Sequence, residues 1–125
     1  EIRKFQSKVE AGAEYCLTQP IYEPRFLERF LKAVEGFRIP MLVGILPLVS
    51  SRNAEFLHNE VPGMTVPADV RERLRKAPTK EAAQQVGVEI ARDALVAARD
   101  LVEGVYVMPP FNRFELAARV IEGIL

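Results

Sequence analysis

The sequence predicts an α/β protein of about three parallel strand–helix units, part of an eight-stranded β/α barrel. Three short apolar runs carry the prediction. Tyr15-Cys16-Leu17-Thr18-Gln19 runs into Pro20, Met41 to Leu46 runs into Pro47, and Gly104 to Met108 runs into Pro109-Pro110. Each run is followed within a few residues by helical periodicity, and strands separated by helices pair in parallel. The runs are apolar throughout rather than alternating, as in strands covered on both faces. Three parallel strands cannot close on themselves, and a complete eight-fold barrel takes roughly 250 residues, so half a barrel is the natural reading of this length.

Taken in order, the chain opens with a helix over residues 1–12. Ile2, Phe5 and Val9 share one face, and Gly12 suits the position just past a helix end. Glu1, Lys4 and Lys8 lie on another face, which residue types alone read as solvated. The first strand covers roughly 14–20. Pro24 opens a helix whose stripe is Phe26, Leu27, Phe30, Leu31 and Val34, and Gly36 is expected to end it. The second strand is 41–46. Ser50 and Ser51 offer hydroxyl caps for a helix over 52–60, which Pro62-Gly63 breaks. A short helix follows, from Val66-Pro67-Ala68-Asp69 to about Lys76. Thr79 caps a long helix over 79–103 with the stripe Ala83, Val86, Ile90, Ala94, Leu95, Ala98, Leu101 and Val102. The third strand is 105–108, and Phe111-Asn112-Arg113 is a loop. Phe114, Leu116, Ala117, Val120, Ile121, Ile124 and Leu125 form the last helix.

Composition narrows the functional classes. With 49% apolar residues, 125 residues suffice for one domain with a real core. Seventeen basic and seventeen acidic residues cancel, which removes the electrostatic argument for nucleic acid or an anionic membrane as partner. No apolar run approaches the roughly 20 residues of a membrane span. The single cysteine, Cys16, permits no intrachain disulfide, fits a reducing, cytoplasmic compartment, and reads as a small core residue rather than a nucleophile. The chain begins inside a helical segment without an initiator methionine and is expected to be a piece of something longer.

Ligands of parallel α/β proteins bind at the carboxyl ends of the strands. There this chain places Thr18, Gln19, Tyr22, Ser50, Ser51, Asn53, Asn112 and Arg113. The set holds amides, hydroxyls and one guanidinium. It lacks a nucleophile with its base and a carboxylate pair for acid–base work. His58 is the only histidine, which excludes a His-cluster zinc site and reads as a structural or surface residue. Gly-rich phosphate loops are absent. Such a surface orients a polar, flat ligand, with any catalytic groups supplied from elsewhere. The competing reading is a non-catalytic α/β scaffold or interaction module.

The segment from Lys8-Val9-Glu10-Ala11-Gly12-Ala13 through Leu17-Thr18-Gln19 resembles a characteristic segment of methylenetetrahydrofolate reductases. Gly44-Ile45-Leu46-Pro47 is similar to their strand end, and Phe111-Asn112-Arg113 to the turn after their last strand. The three come in the family's order with similar spacing. Thr18 to Pro24, His58 to Met64 and Met108 to Phe111 resemble a subgroup in which the reductase follows a homocysteine S-methyltransferase domain. The resemblance implies a TIM-type (β/α)8 barrel that carries FAD and uses NAD(P)H to convert 5,10-methylenetetrahydrofolate to 5-methyltetrahydrofolate. This chain would be strands six to eight, the C-terminal part of that barrel over residues 1–125.

Residue roles follow from the same resemblance. Gln19 matches a glutamine that hydrogen-bonds the pterin. Asn53 falls where the family often has a glutamine lining the folate and nicotinamide site, and Leu57 where an aromatic often stacks. Arg113 matches the arginine of the last turn, near the same site. Lys8 matches a lysine at the flavin's phosphate and ribose end, while Glu1, Lys4 and Ser7 stand where better-known members carry Asp, Asn and Arg. The family's glutamate acid and its flavin-facing aspartate belong to earlier strands, so this chain is expected to be inactive by itself. Its partner would be the N-terminal remainder of the barrel, and in isolation its bare strand edges favour self-association.

Overall fold

The computed structural model describes residues 2–124. Helix α1 (Ile2–Glu10) leads into strand β1 (Cys16–Pro20) and helix α2 (Pro24–Ala33). Strand β2 (Met41–Ile45) is followed by three helices, α3 (Ser51–Glu60), α4 (Ala68–Arg75) and α5 (Lys80–Arg99). Strand β3 (Gly104–Val107) and helix α6 (Phe114–Ile121) close the order, with 3-10 turns at Glu35–Phe37 and Pro110–Asn112. The three strands form one parallel sheet in the order β1-β2-β3. The chain is thus the partial barrel of strand–helix units that the sequence predicts. No helix among the described residues is long and apolar enough to cross a membrane.

Successive strand residues face opposite sides of a sheet, and here the two sides differ. Met41, Val43 and Ile45 of β2 are buried against Leu27 and Leu31 of α2, Val88, Ala91, Ala94 and Leu95 of α5, and Leu116 and Val120 of α6. The other side carries Leu17, Leu42, Gly44, Gly104 and Tyr106, brought side by side by the register. Leu17 is 58% exposed and Tyr15 is exposed beside it. The expectation of strands covered on both faces therefore fails for β1. Helices cover one face; on the other, which no helix among the described residues covers, Leu17 is exposed, Leu42, Gly104 and Tyr106 are half-buried, and Gly44 is buried.

That bare face is held together by one irregularity. The β1–β2 register shifts between Leu17 and Pro20. The Gly44 N–H donates to Thr18 Oγ1 at 3.1 Å, and the Thr18 carbonyl accepts from Tyr106 Oη. Tyr106 reaches it by lying across Gly44, where a Cβ would sit 2.8 Å from the phenol oxygen. Glycine is required there by close approach.

Several predicted ends and faces move. Gly36 lies within the 3-10 turn, and α2 has already ended at Ala33. α5 stops at Arg99 rather than 103. α6 stops at Ile121, and Gly123 follows with φ +75. Phe26 (52% exposed) and Phe114 (69% exposed) leave the stripes assigned to them; each sits in the first turn of its helix and faces solvent. Leu125 lies outside the described residues. α1 packs through Phe5, edge-on to Phe30 at 5.2 Å and against Phe37 at 6.0 Å.

Candidate functional site

The carboxyl ends of β2 and β3 frame a groove of about 580 Å³. Leu46, Arg52, Asn53, Phe56 and Leu57 line one side, and Met108, Pro109, Pro110 and Phe111 line the other. The first wall is fixed by the chain after β2. Leu48 is fully buried, and the Leu46 carbonyl accepts from Tyr22 Oη at 2.8 Å. Ser50 caps α3, its Oγ accepting from the Asn53 N–H at 3.0 Å. Asn53 reciprocates through Oδ1, which accepts from the Val49 N–H at 3.2 Å. Its carboxamide oxygen is thereby occupied, and its NH2 is the group left to meet a ligand in the groove.

The second wall is the turn after β3. Phe111 and Asn112 have φ of 50 and 61, the left-handed region that non-glycine residues seldom adopt. Asn112 tolerates it because of its short polar side chain; Phe111 does not do so by preference. Strain of this kind persists where surrounding structure imposes it, often beside ligands. Phe111 is held out with its ring exposed, lining the groove.

Of the residues the sequence singles out, Asn53 and Leu57 meet in this groove. Arg113 lines a neighbouring cavity that shares Phe111 with the groove, together with Val49, Ser50, Lys80 and Gln84. Its Nε donates to Glu115 Oε1 at 2.5 Å, and that bond holds the Glu115 carboxyl below its ordinary range. Gln19 stands at the exposed end of β1 and leans on the α3–α4 turn. Its Nε2 donates to the Pro62 carbonyl at 3.3 Å, and a Cβ at Gly63 would lie 2.9 Å from its Oε1. Lys4, Ser7 and Lys8 are exposed along one face of α1. Glu1 lies outside the described residues.

The remaining candidates resolve into structural parts. His58 Nδ1 accepts from the Val66 N–H at 3.1 Å, tying α3 to the segment before α4. Tyr22 is buried, and burial pushes its phenol well above the ordinary range. Burial also pushes the Cys16 thiol up, aided by Glu103 and opposed by Arg38, which fits a core residue rather than a nucleophile. The residue missed is Phe56. It follows Asn53 by three positions on α3, a spacing that places both on one side of the helix. An aromatic therefore borders the groove even though Leu57 is aliphatic.

Parallel strands covered by helices on one face, with an open groove at their carboxyl tips, define the ligand-positioning part of a β/α barrel. The family model for methylenetetrahydrofolate reductase matches residues 1–123, and the chain belongs to that family. It is 33% identical over 104 residues to "Methylenetetrahydrofolate reductase 2" of Schizosaccharomyces pombe. That match covers 78% of this chain and 16% of the yeast protein, so the chain spans a small part of its relative's length.

Proposed function

We propose that this chain supplies the folate- and nicotinamide-positioning strand tips of a flavin-dependent reductase that converts 5,10-methylenetetrahydrofolate to 5-methyltetrahydrofolate with NAD(P)H as donor. The observation that carries the reading is the groove itself. It is apolar and aromatic on its walls, with the free Asn53 NH2 in its lining, as a flat heteroaromatic ligand with a few polar edges requires. Gln19 presents a carboxamide at the neighbouring strand tip, able to exchange its long bond to Pro62 for the donor and acceptor edge of a pterin. Phe56, Phe111 and Leu57 exclude water from the ligand's faces. Leu57 gives apolar contact without π-stacking.

The donor set on α1 fits the polar end of FAD. Lys4 and Lys8 offer ammonium groups for phosphate, and Ser7 a hydroxyl for ribose. Glu1 extends this assignment by resemblance to the family alone. When bound, the flavin supplies the hydride it has accepted from the nicotinamide nucleotide. The residues of this chain bind and orient; the proton donor for the folate nitrogen comes from the preceding strands. Those strands, as the N-terminal remainder of the barrel, are the partner proposed for the bare sheet face at Leu17, Leu42 and Tyr106. A homocysteine S-methyltransferase domain in the same polypeptide and a cytoplasmic location belong to the same proposal.

The test separates the half-reactions. In the full-length protein, Gln19→Ala is expected to slow folate reduction about tenfold to a hundredfold, the equivalent of roughly 1–3 kcal/mol for an unpaired polar group. Flavin reduction by the nicotinamide nucleotide should largely survive. Equal loss in both half-reactions, followed by stopped-flow flavin absorbance, would remove the folate-specific role. The isolated 125-residue chain should self-associate in light scattering and bind FAD weakly or not at all. A monodisperse monomer would contradict the need for a barrel partner.

A further inference from the structure

The cavity behind Phe111 has a composition of its own. It holds about 400 Å³ and is lined by Val49, Ser50, Lys80, Gln84, Phe111 and Arg113. Phe111 also lines the groove, so the two spaces share that residue.

Gln84 is the feature that needs an explanation. It is 9% exposed, a buried polar residue on the inner side of α5. Among the described residues its amide has no hydrogen-bond partner, yet no fully occluded side-chain polar atom there lacks one. The amide therefore opens onto the cavity it lines. The backbone explains how it came there. A Cβ at Gly87 would lie 1.6 Å from the Leu48 carbonyl oxygen, so α5 touches the chain after β2 at that point. Gln84 is one turn earlier on the same face, and Lys80 one turn earlier again, at the first position of the helix. The close approach at Gly87 thus brings Gln84 and Lys80 up to Val49 and Ser50.

The charge count selects the ligand. Arg113 is already paired with Glu115, and Glu81 adds an acidic group to the first turn of α5. Lys80 forms no ion pair among the described residues, which leaves one uncompensated cation. Beside it are the Gln84 NH2 and the Ser50 hydroxyl, whose oxygen accepts from Asn53 but whose proton is still available. One cation with neutral donors matches a single negative charge shared by two oxygens. A phosphate dianion would be left half-compensated beside the Arg113–Glu115 pair.

We propose that this cavity is a carboxylate subsite for a ligand whose flat apolar part lies in the adjoining groove, with Lys80 supplying the charge and Gln84 the buried N–H donors. The proposal rests on the preceding reading in taking the groove as occupied. Two pairs of probes keep the two ideas separable in the full-length protein. One pair carries the aminobenzoyl part of folate with a single carboxylate or its amide, 4-aminohippurate and 4-aminohippuramide. The other is unrelated, 4-phenylbutyrate and 4-phenylbutyramide. Binding is measured by calorimetry for the wild type, Lys80→Met and Gln84→Leu. Lys80→Met is expected to weaken the two carboxylates about tenfold, by loss of a charge-assisted hydrogen bond, and to leave the two amides within about twofold. Gln84→Leu, which removes a buried donor that both carboxylate and amide oxygens accept from, is expected to weaken all four about tenfold. Sensitivity in the phenylbutyrate pair alone would keep the subsite and remove the folate reading. Equal effects of Lys80→Met on carboxylates and amides, no effect of either variant on any probe, or no binding of any probe to the wild type would overturn the subsite. A Lys80 dependence confined to nicotinamide mononucleotide, added as a phosphate control, would overturn it in favour of a phosphate site.

Discussion

On the β2–α3 side of the groove, Leu48 is fully buried, Ser50 Oγ accepts from the Asn53 N–H while Asn53 Oδ1 accepts from the Val49 N–H, and α5 touches the backbone from behind at Gly87. On the β3 side, Phe111 and Asn112 stand in left-handed backbone with the Phe111 ring exposed, and the nearest side-chain bond, Arg113 to Glu115, is solvent-facing. The same groove therefore has one wall set by packing and one set by a strained turn. Packed interiors resist displacement by even a methyl group, whereas exposed turns open at little cost. Under the function proposed above, the contrast would give rigid orientation of a ligand to Asn53 and adjustment around it to Phe111.

The largest test falls on the packed wall. Gly87→Ala would set a methyl group on the Leu48 carbonyl, and backbone cannot yield as a flexible side chain can. The expected loss is about 3 kcal/mol or more, the upper range for overpacking, read as a lower urea midpoint. A stable Gly87→Ala protein would show that this wall is not rigid and would erase the contrast.

Next comes Tyr22, which holds the Leu46 carbonyl at the base of the same wall. Its phenol is pushed up by burial, so the folded state keeps a proton that the unfolded chain loses near pH 10. The unfolded state then binds fewer protons, and stability falls as pH rises above about 10. The contribution is fully present below that pH. Tyr22→Phe should cost about 1 kcal/mol at neutral pH for the lost bond and flatten the alkaline decline. Urea melts at neutral pH and through the alkaline range test both, and an unchanged alkaline slope would place the sensitivity elsewhere.

The smallest effect on stability is expected from the strained wall. Phe111→Gly relieves the left-handed backbone while increasing the unfolded chain's freedom, and these terms offset to within about 1 kcal/mol. Ligand affinity in the groove should fall all the same, because a ring that lines both groove and cavity is gone. A strong loss of stability would mean that Phe111 is part of the core after all.

Much of this frame is legible in the residues alone. Thr79 and Ser50 read as caps, and their oxygens accept from the Ala82 and Asn53 N–H groups. Gly12 takes φ +113 after α1, as a stop should. The family's pattern places Asn53 and Leu57 in one site, and the lone His58 reads as no ligand. The three-residue spacing from Asn53 is the signal that points to Phe56.

What the residues determined by themselves was local: where strands and helices form, which hydroxyls cap them, and that the strands run parallel because helices separate them. Only the tertiary structure decided which side each periodic position faces. Phe26 and Phe114 have core-like spacing yet sit in solvent, while Gln84 and Gly87, which no apolar stripe would include, are buried on α5. Leu17 has the composition of a two-sided buried strand and stands on a bare face. Periodicity reports the angle between side chains on one element. It carries no information about how closely a second backbone approaches, and here that approach, at Leu48 against Gly87, sets the position of the buried amide beside the groove.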